Sequence, residues 1–151
     1  MGKVKFAHTN ILANDWKSLS QFYIKTFDCQ PLYPERDMHG EWIERMTNIR
    51  GIHVEGIHLK LPGNHDGPTL EIFSYNEPLE KVLPAQINEI GFTHIAFRVD
   101  DISHFIDRVL ENGGSFYGEI VKTQIEHVGE LTGVYMRDPE GNIIEIQKWK
   151  K

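Results

Sequence analysis

Apolar and polar positions alternate along 92–99, with Thr93, Ile95, Phe97 and Val99 on one side and His94, Ala96 and Arg98 on the other. A period of two places successive side chains on opposite faces of a strand. The run ends in Asp100-Asp101, suitable N-cap chemistry, and predicts a helix over 101–112. "ENGGS" stops that helix, with Gly113-Gly114 as its C-cap signal. The same succession occurs near the start of the chain: a strand over 5–12, then Asn14-Asp15, then a helix over 15–27. Three strands are predicted after each helix. In the first half they cover 42–49, 52–61 and 69–75, and in the second 116–122, 131–137 and 142–149. "RDPEGN" (137–142) reads as a tight turn between the last two, with Pro139 and Gly141 supplying its backbone angles.

The two halves repeat one another. When 6–23 is laid over 92–109, Phe6 meets Phe92, His8 meets His94 and Asn14-Asp15 meets Asp100-Asp101. "GPTLEI" and "GNIIEI" then place Glu71 on Glu145. The His-to-Glu separation is 63 residues in the first half and 51 in the second, and the extra length is assigned to the polar stretch around 34–52. The fold class is therefore α+β: tandem βαβββ modules, about 4–76 and 91–151, joined by a Pro-containing linker over 77–90 within one domain of 1–151. The expected architecture is a curved mixed sheet, a half-barrel, around a central metal-binding cavity with the helices outside.

Strand parity supplies the cavity. Leu70, Ile72, Ile144 and Ile146 belong with the helix-covered faces, whereas Glu71, Glu145, His8 and His94 point the other way. Converging in one hollow walled by Phe73, Tyr75 and Trp149, they form an N₂O₂ donor set suited to a divalent ion: Ni²⁺, Zn²⁺, Co²⁺, Mn²⁺ or Fe²⁺. Such an ion also explains two carboxylates in half-apolar strands, which burial alone would penalise. His53 and His58 differ in parity on one strand and so face opposite ways; either can line the cavity, with a surface role favoured.

Composition adds exclusions. The chain has 151 residues, 40% of them apolar and 25% charged, an ordinary globular balance. A net charge of −6 without a Lys/Arg cluster argues against a nucleic-acid partner. No stretch reaches the length of a membrane span and the N-terminal residues lack an apolar signal core, so a soluble, cytoplasmic protein is expected. The single cysteine, Cys29, allows no intrachain disulfide and is expected to be buried and structural.

The doubled module, with "FTHIAFRVDDI", "ENGGSFYGEIV" and "GVYMRDPEGNIIEI" in its second copy, resembles the vicinal oxygen chelate superfamily of glyoxalases, epimerases, extradiol dioxygenases, fosfomycin-resistance enzymes and bleomycin-binding proteins. The order His8, Glu71, His94, Glu145 is similar to the ligand order of the glyoxalase I branch. That resemblance implies a metal-dependent lyase or isomerase acting on a small molecule, in which Glu71 or Glu145, with Glu145 favoured, is the base and the metal stabilises an enediolate. It also implies a homodimer. Glutathione-using members carry an Arg where this chain has Leu12, and Arg98 holds the corresponding place in the second half, with Phe73, Tyr75 and Trp149 as further pocket residues. The segment 39–51 departs from compact glyoxalases and is expected to form a lid or wall. Two alternatives accompany this reading: an Fe²⁺ extradiol dioxygenase using His8, His94 and Glu145, and a non-catalytic drug-binding protein.

Overall fold

The computed structural model describes residues 2–63 and 65–151. The chain divides into two compact units, 1–80 and 81–151. Each contains a mixed sheet, and the described residues include three α-helices, so the α+β assignment stands.

The first unit opens with β1 (His8–Leu12), whose chain turns into α1 (Trp16–Phe27). Asp15 begins the helix as its N-cap, accepting from Ser18 N at 3.1 Å and from Ser18 Oγ at 2.8 Å. Trp16, Leu19, Tyr23 and Phe27 recur at helical spacing and are buried. That stripe packs against β3 (His53–Lys60) and β4 (Thr69–Tyr75), where Ile57, Leu59, Leu70 and Ile72 are each at most 3% exposed. Strand order is β1-β4-β3-β2, with β1 parallel to β4 and the other pairings antiparallel.

The residues between α1 and β3 depart from expectation. The strand expected over 42–49 is a helix, α2 (Glu41–Thr47), and the missing strand lies earlier, as β2 (Gln30–His39). β2 is an edge strand with Pro31 and Pro34, a register shift between Leu32 and Arg36, and no buried residue. An edge can carry prolines and charges because one side of its backbone needs no partner, so the apolar alternation that marks a strand is missing there. Gly40, at φ 99°, ends β2; Glu41 and Glu44 favour the first turn of α2, and Asn48 closes it in the left-handed region. Ile43 then packs with Ile52, Val54 and Phe73, and Met38 and Tyr75 lie against that cluster. The segment 39–51 is thus a helical cap on the sheet face opposite α1. Gly56 makes the cluster possible: a Cβ there would sit 2.3 Å from the Phe73 ring.

In the second unit, β5 (His94–Arg98) leads to α3 (Ile102–Glu111), which Asp101 caps through His104 N at 3.1 Å. Ile102, Ile106 and Val109 bury one stripe, and the helix contacts β9 (Ile143–Lys150), whose Ile144 and Ile146 are fully buried. The single strand expected over 116–122 is two: β6 (Ser115–Phe116) and β7 (Val121–Ile125). The break falls where Tyr117 N and Gly118 N both donate to Tyr135 O, each at 3.1 Å. β8 (Gly129–Arg137) pairs with both pieces and with β9, and β5 lies parallel to β9. The expected turn joins β8 to β9: buried Asp138 accepts from Glu140 N and Asn142 N at 2.9 and 3.0 Å, and Gly141 takes φ 87°.

No helix among the described residues is long and apolar enough to cross a membrane. Cys29 is 1% exposed, and burial pushes its thiol up to about 12, which fits the structural role expected of it.

Candidate metal centre

Cross-strand register assembles a donor group in the first unit. Asn10 on β1 and His58 on β3 both pair with Glu71 on β4, and His8 pairs with Thr69 two residues before it. These side chains share the face opposite α1. Glu71, 9% exposed, holds its carboxylate among them. Asn10 Nδ2 donates to Oε1 at 2.9 Å, His58 Nε2 lies 2.9 Å from Oε2, and His8 Nε2 lies 3.5 Å from Oε1. The His8 and His58 rings meet edge-on at 5.5 Å, and Phe73 packs its ring against His58 at 5.9 Å. Burial, partly offset by the Glu71 charge, lowers the His58 pKa, so His58 is neutral near pH 7. One ligand atom from each of His8, His58 and Glu71 falls within 4.8 Å of the others.

The second unit carries the equivalent pair. His94 Nε2 lies 3.3 Å from Glu145 Oε2. Gln147 Nε2 donates to Glu145 Oε1 at 3.2 Å, and Trp149 Nε1 donates to Gln147 Oε1, which fixes the amide so that its NH₂ faces the carboxylate. Tyr135, opposite Glu145 on β8, packs its ring on His94 at 5.1 Å. Burial and then the Glu145 charge raise the Tyr135 pKa, which keeps the phenol protonated.

Both halves share a device not anticipated from sequence. His58 Nδ1 lies 2.9 Å from Thr69 Oγ1, and His94 Nδ1 lies 2.7 Å from Thr93 Oγ1. A hydroxyl both donates and accepts. Each Thr therefore supports the tautomer that gives its Nε2 proton to the glutamate, and equally the one that frees Nε2 for an ion. Imidazole nitrogens so backed, beside carboxylate oxygens, are a donor set that fits a divalent transition metal.

Of the residues expected to form the site, His8 and Glu71 meet in the first unit, and His94 and Glu145 in the second. His58, for which the sequence favoured the surface over the cavity, faces Glu71. Phe73 is buried beneath α2, and Tyr75 is half-buried beside it. Trp149 serves Glu145 through Gln147, while Arg98 is exposed and opposite Gln147. Asn10, His58 and Tyr135 had not been named as site residues. Counting back through the turn at 138–142 places Tyr135 opposite Glu145, so that one was readable; the longer connection between β3 and β4 leaves the His58–Glu71 register uncountable.

A βαβββ-type module carried twice, each copy with a His–Glu pair on the sheet face opposite its long helix, defines a recognisable class. The chain belongs to the Glyoxalase/Bleomycin resistance protein/Dioxygenase superfamily, whose family model matches residues 5–146. Among solved structures it is similar to a glyoxalase family protein from Bacillus cereus, with TM-score 0.84 and 21% identity over 100% of this chain and 97% of that one. A glyoxalase family protein from Enterococcus faecalis gives TM-score 0.58 and 23% identity over 95% and 96% of the two chains. A fosfomycin resistance protein from Listeria monocytogenes gives TM-score 0.61 and 13% identity over 99% and 94%. No curated protein matches the chain in sequence. Identities this low establish the fold and leave the reaction to the site.

Proposed function

We propose that the protein is a divalent-metal-dependent lyase or isomerase that moves a proton next to a carbonyl of a small molecule. His8, Glu71, His94 and Glu145 are its metal-ligating side chains, and it acts as a homodimer. The supporting observation is a histidine beside a strand glutamate in each unit, with His8 3.5 Å from Glu71 and His94 3.3 Å from Glu145. Bound by such donors, the ion supplies Lewis acidity for negative charge developing beside the carbonyl. Glu145 Oε takes the substrate proton in this reading. It is held by two contacts of 3.2 and 3.3 Å, whereas Glu71 is fixed by Asn10 and His58 at 2.9 Å each. The looser carboxylate is the one free to turn toward substrate. Tyr135 and Phe73 each cover one side of the His94 and His58 rings, and Arg98 offers a cation for an anionic substrate group.

A second reading draws on one specific observation. His8, His58 and Glu71 form a two-His, one-carboxylate set within a single unit, the donor combination of non-haem Fe²⁺ oxygenases. It predicts oxygen uptake with a catechol.

The test combines metal analysis with NMR in D₂O of 2-oxoaldehyde–thiol adducts and α-hydroxy ketones. We expect the parent to retain a divalent ion and exchange the α-proton of at least one such compound. Glu71→Gln should lose metal, and Glu145→Gln should lose exchange. If both variants keep parental metal content and parental exchange, the reading fails; oxygen uptake with catechol in its place supports the Fe²⁺ reading.

A further inference from the structure

The other face of the β2–β3 edge carries a separate group of donors. Asp37 pairs with Glu55 and His39 with His53 in the antiparallel ladder. Alternation turns these four side chains away from Met38 and Val54, which point into the cluster under α2. They are thus on the opposite side of the sheet from His8, His58 and Glu71. His53 Nε2 is hydrogen-bonded to Asp37 Oδ1 and lies 3.9 Å from Glu55 Oε1. One ligand atom from each of Asp37, His53 and Glu55 falls within 4.8 Å of the others. The His39 ring stands 5.2 Å from that of His53.

Two features separate this group from an ordinary surface ion pair. Like charges directly opposite one another on a ladder are destabilising, and Asp37 and Glu55 occupy such positions with one imidazole between them. The strand is also pinned at the imidazole. Asn76 Oδ1 accepts from His53 N at 2.8 Å, Asn76 N donates to His53 O at 3.1 Å, and Asn76 Nδ2 donates to Gly51 O at 3.0 Å. Donors on a paired ladder with a clamped backbone lose little freedom when they close on an ion.

We infer that Asp37, His53 and Glu55, with His39 as a further donor, form a second divalent cation site, distinct from the His8/Glu71 and His94/Glu145 pairs. Mixed imidazole and carboxylate donors select Zn²⁺, Co²⁺ or Ni²⁺ over Ca²⁺ or Mg²⁺. At the surface such an ion cross-links β2 to β3, the two strands that carry α2 between them.

Calorimetric titration of chelator-stripped full-length protein with ZnCl₂ tests this, with His53→Gln, Asp37→Asn and Glu71→Gln compared against the parent. The expected result is that His53→Gln and Asp37→Asn each bind one zinc equivalent fewer than the parent, while Glu71→Gln keeps the equivalent that they lose. Circular dichroism of each variant shows whether the fold is retained, and His39→Gln, which leaves the Asp37–His53 contact in place, should weaken that equivalent by about tenfold. Parental zinc stoichiometry and affinity in both His53→Gln and Asp37→Asn would overturn the site. Loss of zinc in Glu71→Gln alone speaks to the reading of the preceding section and leaves this one without its ion.

Discussion

A glutamate in the middle of a buried strand needs partners for both oxygens, and each unit supplies them differently. Glu71 has Asn10, His58 and His8 around it; Glu145 has His94 and Gln147. In both cases the imidazole is turned toward the carboxylate by a threonine hydroxyl on its Nδ1. Removing that hydroxyl leaves the ring's volume and the glutamate untouched but deletes the hydrogen bond that orients the ring. Thr93→Val, at the hydroxyl behind the proposed ligand His94, should therefore weaken metal binding by roughly 10-fold to 100-fold, with little change in thermal midpoint. Competition with a chromogenic chelator reads the effect; parental affinity in Thr93→Val would refute the role. Repetition is what marked His8, Glu71, His94 and Glu145 in the sequence. It could not mark His58, which has no counterpart in the second half: the residue pairing with Glu145 from the neighbouring antiparallel strand there is Tyr135.

At the scale of elements, the two long helices were legible because each begins on an aspartate that leaves a strand and each buries a stripe at helical spacing. Asp15 is the stronger of the two caps. Its carboxyl lies below the ordinary 3.8, first because the Ser18 hydroxyl donates to it and next because Ser18 N does. Asp15→Ala should lower stability by about 1 kcal/mol near neutral pH, measured by urea unfolding. The sign of its pH dependence follows from the depressed folded-state value. As pH falls, the unfolded chain takes up the proton first, so the cap's contribution is complete above the unfolded value and lost as pH drops through the folded one. The gap between Asp15→Ala and the parent should thus narrow below about pH 4, and a gap that stays constant into strong acid would refute the assignment. The elements that sequence misplaced, β2 and α2, fail for one physical reason. An edge strand with two prolines needs no apolar alternation, and a seven-residue helix that buries only Ile43 shows no apolar stripe. The apolar residues at 42–49 then mimic a strand.

At the scale of the whole molecule, the repeat explains why superfamily membership was evident from sequence when the reaction was not. Each unit builds its own sheet, and the superfamily whose model the chain matches spans differing chemistries. The chain around the boundary of the units carries a further consequence. Leu79, Val82, Leu83, Ile90 and Phe92 are 73% to 107% exposed. Large apolar side chains scattered singly over a surface need no explanation, but five within fourteen consecutive residues are a local concentration of apolar surface, and such surface mediates association. The homodimer proposed for this protein would give these side chains a partner. Light scattering should report twice the chain mass of 17.5 kDa for the parent. Val82→Asp with Leu83→Asp should shift the mass toward the single chain, because two carboxylates buried at an apolar contact lose hydration without a counter-charge. A parent protein that runs as one chain at assay concentrations would show that these residues serve no dimer. A dimer indifferent to both substitutions would place its contact elsewhere on the surface.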